Sequence, residues 1–199
     1  DIPSSQEFLS MILDAMKTSV VLQITFHSFT MKESETFLVE PYCVKMSAQR
    51  WYMLARNIGY NCLRLYSLDR LEHVELTDTS FALPSDFCAK EYFSEYFGIV
   101  LDERVPLQRI VLRADKYHQH YMRTLPLHHS QREVFVCDDY ADFELTLRPT
   151  YDFYMKLMSL GNMIKVLEPQ SLQDKICRWL ENTAKLYVKE NSDNEEYHS

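Results

Sequence analysis

Between Val20 and Thr77 the chain breaks into five short runs rich in β-branched and aromatic residues, at 20–29, 36–43, 50–57, 61–68 and 72–77. Polar or Asn/Gly turns divide them. Four or five strands spaced this closely predict a small antiparallel β-barrel. The third run opens on RWYML, residues 50–54, and successive side chains of a strand point to opposite faces, so Trp51 and Tyr52 cannot share one. Tyr52, Leu54 and Arg56 take one face, Trp51 and Met53 the other. In the fourth run Arg64, Tyr66 and Leu68 share a face and Leu63 and Leu65 take the opposite one, setting a cation beside a phenol. The bland reading makes Trp51 core and leaves the arginines in water; Asp69 beside Arg70 then serves only a turn and an ion pair.

A helix precedes the strands. SSQE, with Ser4 three residues ahead of Glu7, has capping-box form, and Phe8, Leu9, Ile12, Leu13 and Met16 follow at helical spacing. Beyond the strands, Pro84 to Gly98 predicts a helix capped by Ser85 or Asp86 and stopped by glycine. Its Phe87, Tyr92, Phe93, Tyr96 and Phe97 suit a wedge between two domains, although they could offer a ligand an aromatic face. The polar LDERVP after it reads as a linker. The period then alternates: strand 107–114, helix 116–123, strands 132–137 and 142–148, helix 150–160, strand 163–167 and a long helix 170–188. A β-α-β-β-α-β order is that of the ferredoxin-like split βαβ motif. The three glycines each suit a positional task, Gly59 in the turn RNIGYN and Gly98 and Gly161 after helical patterns. Tyr151, Tyr154, Met155 and Met158 read as helix core, and Leu172, Ile176, Leu180 and Tyr187 fall on one side of the last helix. The predicted organisation is an α+β chain: a connecting helix 1–19, a barrel 20–82, a helical linker 83–106, an α+β domain 107–188 and a disordered acidic tail 189–199.

Composition narrows the function classes. No run approaches the roughly eighteen apolar residues of a membrane span, and DIPSSQEF lacks the basic and apolar regions of a signal peptide. Five widely spaced cysteines (Cys43, Cys62, Cys88, Cys137, Cys177) suit free thiols in a reducing, cytoplasmic compartment. A formal net charge of -8 argues against a surface that coats duplex DNA, leaving room for a small basic site. A chain that starts without methionine and enters a helix at once reads as a piece of something longer.

The loop PLHHSQ, residues 126–131, gathers His128, His129, Ser130 and Gln131. A hydrolase built on His128 and Ser130 is a poor reading, because Ser130 lies in no G-x-S-x-G turn. Metal binding is weak as well: His128 and His129 diverge, and His118 and His120 at i, i+2 do not face one site. No CxxC, HExxH or phosphate loop occurs, so neither enzyme, metal nor cofactor is expected.

ITFHSF, VEPYCVK, RWYML and LRLYSLDRL, in that order, resemble the successive motifs of WYL domains, Sm-like β-barrels named for Trp-Tyr-Leu, with Met53 in the place of leucine. EYFSEYFGI, LPLHHSQ and LGNMIKVLEPQSL are similar to the C-terminal extension that follows many of them, so the resemblance spans nearly the whole chain. It implies a ligand-sensing module of a bacterial regulator, working on DNA through an N-terminal helix-turn-helix domain absent from this chain. It further implies a basic barrel pocket for an anionic effector, a nucleotide or single-stranded nucleic-acid fragment. The positions it marks are His27, Ser28, Tyr42, Lys45, Tyr52, Arg64 and Arg70; Phe26 stands where many members have tyrosine. Forked guanidiniums from Arg64 and Arg70, phenols from Tyr42 and Tyr52 and the Lys45 charge are chemically suited to it. His128, Ser130 and Gln131 would close over that pocket or line a second one. The alternative is a protein-interaction or dimerisation module without a small effector, to which the aromatic and methionine content is suited.

Overall fold

The computed structural model describes residues 6–29 and 32–187. Among these, nine strands and five helices make an α+β chain of two compact units, Asp1–Val105 and Pro106–Ser199.

In the first unit, helix α1 (Gln6–Thr18) precedes β1 (Val20–Phe26), β2 (Glu35–Ser47), β3 (Arg50–Asn57), β4 (Cys62–Ser67) and β5 (Leu71–Ser80). They pair antiparallel in the order β4-β3-β2-β1-β5. Where the sequence predicted a barrel, the structure has an open five-stranded sheet whose edge strands, β4 and β5, are not hydrogen-bonded to each other. Strand β2 is longer than the run 36–43 because Pro41, which has no N–H to donate, sits beside a bulge at Tyr42 and the ladder resumes at Cys43. It turns into β3 through Ala48 and Gln49, both left-handed at φ 46° and 64°. Neither is Gly or Asn, so nothing in the sequence marks this turn. At the next turn the left-handed residue is Asn61 (φ 49°) and not Gly59.

One sheet face meets α1. Ile12 and Ala15 of the helix close on Leu22, Ile24, Val39, Met53, Ala55 and Tyr66, and Trp51 packs against this cluster. Ser4 of the expected capping box lies outside the described residues. After β5, the expected helix 84–98 shrinks to α2, Ala89–Ser94, with Cys88 and neither Ser85 nor Asp86 at its N-cap. Its aromatic residues explain the loss: Phe87 meets Tyr42 and Phe93 lies under the Lys45 ammonium at 4.2 Å, so contact with the second sheet face outweighs helix propensity.

The second unit runs β6 (Gln108–Asp115), α3 (His118–Thr124), β7 (Arg132–Val136), β8 (Tyr140–Leu147), α4 (Tyr151–Ser159), β9 (Ile164–Glu168) and α5 (Gln170–Lys185). The element order is the predicted one, and the strands pair antiparallel as β7-β8-β6-β9. Parity divides the sheet cleanly. Ile110, Leu112 and Ala114 stand beside Leu145, Phe143 and Ala141, all buried, while the alternate residues form an ionic face. There Arg113 makes a forked pair with Asp142 at 2.7 and 2.8 Å, and Glu144 lies between Arg132 and Arg109, which hold its carboxyl below the usual range. The expected core face of α4 is corrected. On α4 the buried residues are Phe153, Tyr154 and Leu157, while Tyr151 and Met155 are exposed. On α5 Leu172 is buried and Leu180 is exposed, as is Tyr187 beyond the helix end. The expected tail lies outside the described residues.

Candidate functional site

Arg64 and Arg70 reach one cavity of the first unit by different routes. Residue 64 lies on β4 opposite Ala55, so its side chain leaves on the Trp51–Met53–Ala55 face, next to Tyr66 as parity predicted. Residue 70 ends a single 3-10 turn, Leu68–Arg70, and its carbonyl accepts the His27 N–H at 3.0 Å, which ties the turn to the end of β1. Both guanidiniums rest on rings: Arg64 lies 4.1 Å from Tyr60, and Arg70 lies 4.7 Å from both Phe26 and Phe29.

The cavity measures about 430 Å³ and is lined by Ser28, Arg64, Arg70, the rings of Phe26, Phe37 and Tyr66, and apolar residues of β4 and 99–101. Among the described residues no carboxylate lines it. Most other arginines are spent: Arg56 on Glu40, Arg109 on Glu144 and Glu168, Arg113 on Asp142, Arg123 on Glu133 and Arg132 on Glu144. Among the described residues Arg64 and Arg70 make no salt bridge, and the buried Nε of Arg70 has no hydrogen-bond partner. Asp69, the nearest acid in sequence, accepts from Ser67 and pairs with Arg50 at 3.4 Å. An orphaned guanidinium donor is costly to bury, and an anion is the partner that satisfies both charge and fork.

Tyr66 closes the inner wall. Burial pushes its phenol up in pKa, and its oxygen accepts from Asn57 Nδ2 at 2.9 Å. Of the rings beneath the arginines, Phe29 carried no signal in the sequence; the wall residue Tyr66 did, through its parity with Arg64.

The remaining expected residues are placed elsewhere. His27 does not line the cavity: its N–H donates to the Arg70 carbonyl, and its Nδ1 lies 3.3 Å from Ser34 Oγ. Tyr52 is buried but pairs with Ser67 and Lys45, on the face opposite Arg64. This corrects the expectation that the two would share one side. Tyr42 and Lys45 lie on that second face too. Tyr42 lines a cleft of about 520 Å³ whose wall carries Asp86, Glu91, Glu95 and Glu103 against Arg56, itself held by Glu40 at 2.7 Å. That cleft is acidic, and burial next to Glu40 raises the Tyr42 phenol.

In the second unit Ser130 and Gln131 of PLHHSQ bond to nearby backbone. His128 Nδ1 lies 2.8 Å from Ser130 Oγ, which in turn bridges the Thr146 N–H and carbonyl at 2.9 and 3.0 Å. Gln131 donates to the Met122 carbonyl and accepts the Leu127 N–H. These contacts fasten the α3–β7 connection to β8.

Among the described residues no cluster of three or more His, Cys, Asp or Glu could hold a metal, and no helix is long and apolar enough to cross a membrane. A family model described as WYL domain matches residues 7–76, and one described as WCX domain matches residues 106–184. No curated protein matches the chain. Solved structures do. Proteasome accessory factor B/C (PafBC) of Arthrobacter aurescens is 20% identical over 96% of this chain and 29% of its own, with a TM-score of 0.42. A structure described as a CRISPR Cas-related protein is 12% identical over 94% of this chain and 52% of its own, with a TM-score of 0.53. The chain thus spans about a third and about half of those two proteins, and the second likeness is one of fold.

Proposed function

Because this chain belongs to the WYL-domain family, carrying a WYL domain followed by a WCX domain, we propose that it is the non-enzymatic, effector-sensing part of a bacterial transcriptional regulator. The effector is anionic, a nucleotide or a short single-stranded nucleic-acid fragment. One observation carries the reading: two arginines with no salt bridge among the described residues, one with a buried and orphaned Nε, line a single cavity without carboxylates. Ser28, Arg64 and Arg70 are the proposed contacts, with the phosphate in the guanidinium forks and Phe26, Phe37 and Tyr66 beside the apolar part of the ligand. Tyr42, Lys45 and Tyr52, on the other face, are left out of this site.

The strand order β4-β3-β2-β1-β5 supports an Sm-like reading of the first sheet, and β7-β8-β6-β9 a ferredoxin-like reading of the second. Signalling to a DNA-binding domain outside this chain requires that the effector bind two arrangements of the protein with different affinity. The test is a fluorescence-anisotropy titration with a labelled short oligonucleotide, with nucleotides as competitors. Arg64→Ala and Arg70→Ala are each expected to weaken binding by about tenfold or more, a charge-assisted hydrogen bond being worth roughly 1.5–3 kcal/mol. Affinity that ignores both substitutions sinks the site.

A second reading, a protein-interaction or dimerisation module, has β7 behind it. This edge strand is exposed along its whole length and presents Val134, Phe135 and Val136. Sedimentation at micromolar concentration checks it: a monomer, unchanged by Phe135→Glu, removes its dimer form.

A further inference from the structure

Two of the rings that carry the arginines stand in water. Phe29 is 79% exposed and Tyr60 is 56% exposed, so each leaves a large apolar face uncovered. A guanidinium lies against each of them, Arg70 at 4.7 Å from Phe29 and Arg64 at 4.1 Å from Tyr60. Neither ring is part of the packed cluster beneath α1, which takes in Phe26, Phe37 and Tyr66. Tyr60 is nevertheless held in place: its N–H donates at 3.0 Å to Oδ1 of the buried Asn57, the same side chain whose Nδ2 donates to Tyr66.

The two ring–guanidinium pairs stand at the two ends of one aromatic row. From Arg70 the row runs through Phe26, Tyr66, Phe37 and Tyr60 to Arg64, with successive ring centroids 5.2, 6.2 and 6.1 Å apart. A ligand that answers both ends carries an anionic group and a flat face at each. Inorganic phosphate supplies no face, and a mononucleotide supplies one of each. The alternation of phosphate and base along a single strand supplies both repeatedly, and aromatic rings backed by arginine are the usual means of holding such a strand.

We infer that Phe29 and Tyr60 are base-stacking residues, and that the effector is a single-stranded nucleic-acid fragment of at least two nucleotides, with a base on each ring and phosphates beside Arg64 and Arg70. The inference rests on the arginine site proposed above and selects, of its two ligand classes, the fragment over the free nucleotide. Phe29 and Tyr60 lie outside the motif positions and outside the cavity lining, so neither belongs to the contacts assigned so far.

The experiment uses the full 199-residue chain and an end-labelled oligothymidylate followed by fluorescence anisotropy. A labelled abasic strand of equal length, which keeps the phosphates and lacks the bases, is titrated beside it, and thymidine monophosphate and the thymidine dinucleotide serve as competitors. The abasic strand is expected to bind about tenfold more weakly or worse, and the dinucleotide to compete at least about tenfold better than the monophosphate. Phe29→Ala and Tyr60→Ala each weaken thymidylate binding by about fivefold or more, whereas Phe29→Trp and Tyr60→Phe, which keep a ring, preserve it. On the abasic strand the two alanine variants match the parent, which separates stacking from a ring that merely steadies its arginine. Both positions are exposed, and thermal unfolding verifies that the variants are folded. Equal affinity for the two strands, equal competition by monophosphate and dinucleotide, or an alanine effect of the same size on both strands overturns the inference. When such a result comes with thymidylate binding that Arg64→Ala and Arg70→Ala abolish, the arginine site survives and the stacking residues alone fall. Binding indifferent to the arginine substitutions, or no binding at all, sinks the arginine site and this inference with it.

Discussion

A single nitrogen, the Nε of Arg70, is where sequence, packing and proposed chemistry meet. The 3-10 turn fixes the backbone, Phe26 and Phe29 hold the guanidinium plane, and the buried Nε is left without a hydrogen-bond partner. Its neighbour Tyr66 is partnered, because Asn57, 1% exposed, donates to its oxygen. Tyr66→Phe therefore removes an acceptor and leaves a buried amide N–H without one, at a cost of about 1–3 kcal/mol. Urea denaturation should reveal the loss as a lower midpoint at an unchanged slope. Cys43 supplies a pH prediction. Burial pushes its thiol from 9.0 up to about 11, so between those values the folded state holds a proton that the unfolded state has lost. The stability it contributes is complete below pH 9 and declines as the pH rises to about 11. Cys43→Ala, followed by thermal melts from pH 8 to 11, is expected to flatten that decline, and a slope identical to the parent's would remove Cys43 as its cause. Trp51 and Tyr52 were legible at this scale up to a point. Alternation put Trp51 on the core face, as found, but could not say that the second face is also covered, because the covering residues lie thirty to forty positions later in the chain.

Elements were legible where local chemistry controls them and illegible where a turn departs from its usual residues. The helix–strand alternation of the second unit needs only its periodicity, and Gly161 after α4 adopts the expected left-handed φ of 57°. A Cβ there would meet nothing within 4 Å, so Gly161→Ala isolates backbone strain, with an expected loss of about 1 kcal/mol. The β2–β3 turn gives the opposite sign: Gln49 holds a φ of 64° without the freedom of glycine, and Gln49→Gly should raise the unfolding midpoint. A gain at Gly161 or a loss at Gln49 would contradict the strain argument. Helix α2 shows the limit of local signals: capping residues and periodicity favoured residues 84–98, yet the aromatic side chains found ring partners that a longer helix would have pulled away.

At the scale of the molecule, each of the two compact units carries a core of its own, one around Ile12, Leu22 and Met53 and one around Leu112, Phe143 and Phe153. Residues 1–105 and 106–199 produced separately should each give cooperative urea unfolding, and a fragment without a cooperative transition would contradict this autonomy. The sequence by itself determined the α+β class, the element order of the second unit and the partnership of Arg64 with Tyr66. All follow from side-chain period and neighbouring residues. Only the tertiary structure decided which arginines are paired with carboxylates. Arg56 and Arg64 look alike along the chain, but cross-strand register brings Glu40 opposite Arg56 and Ala55 opposite Arg64. Charge neutralisation depends on distances of a few ångströms between residues remote in sequence. For the same reason Tyr42 and Tyr52, grouped with the arginines by motif, came to lie across the sheet from them.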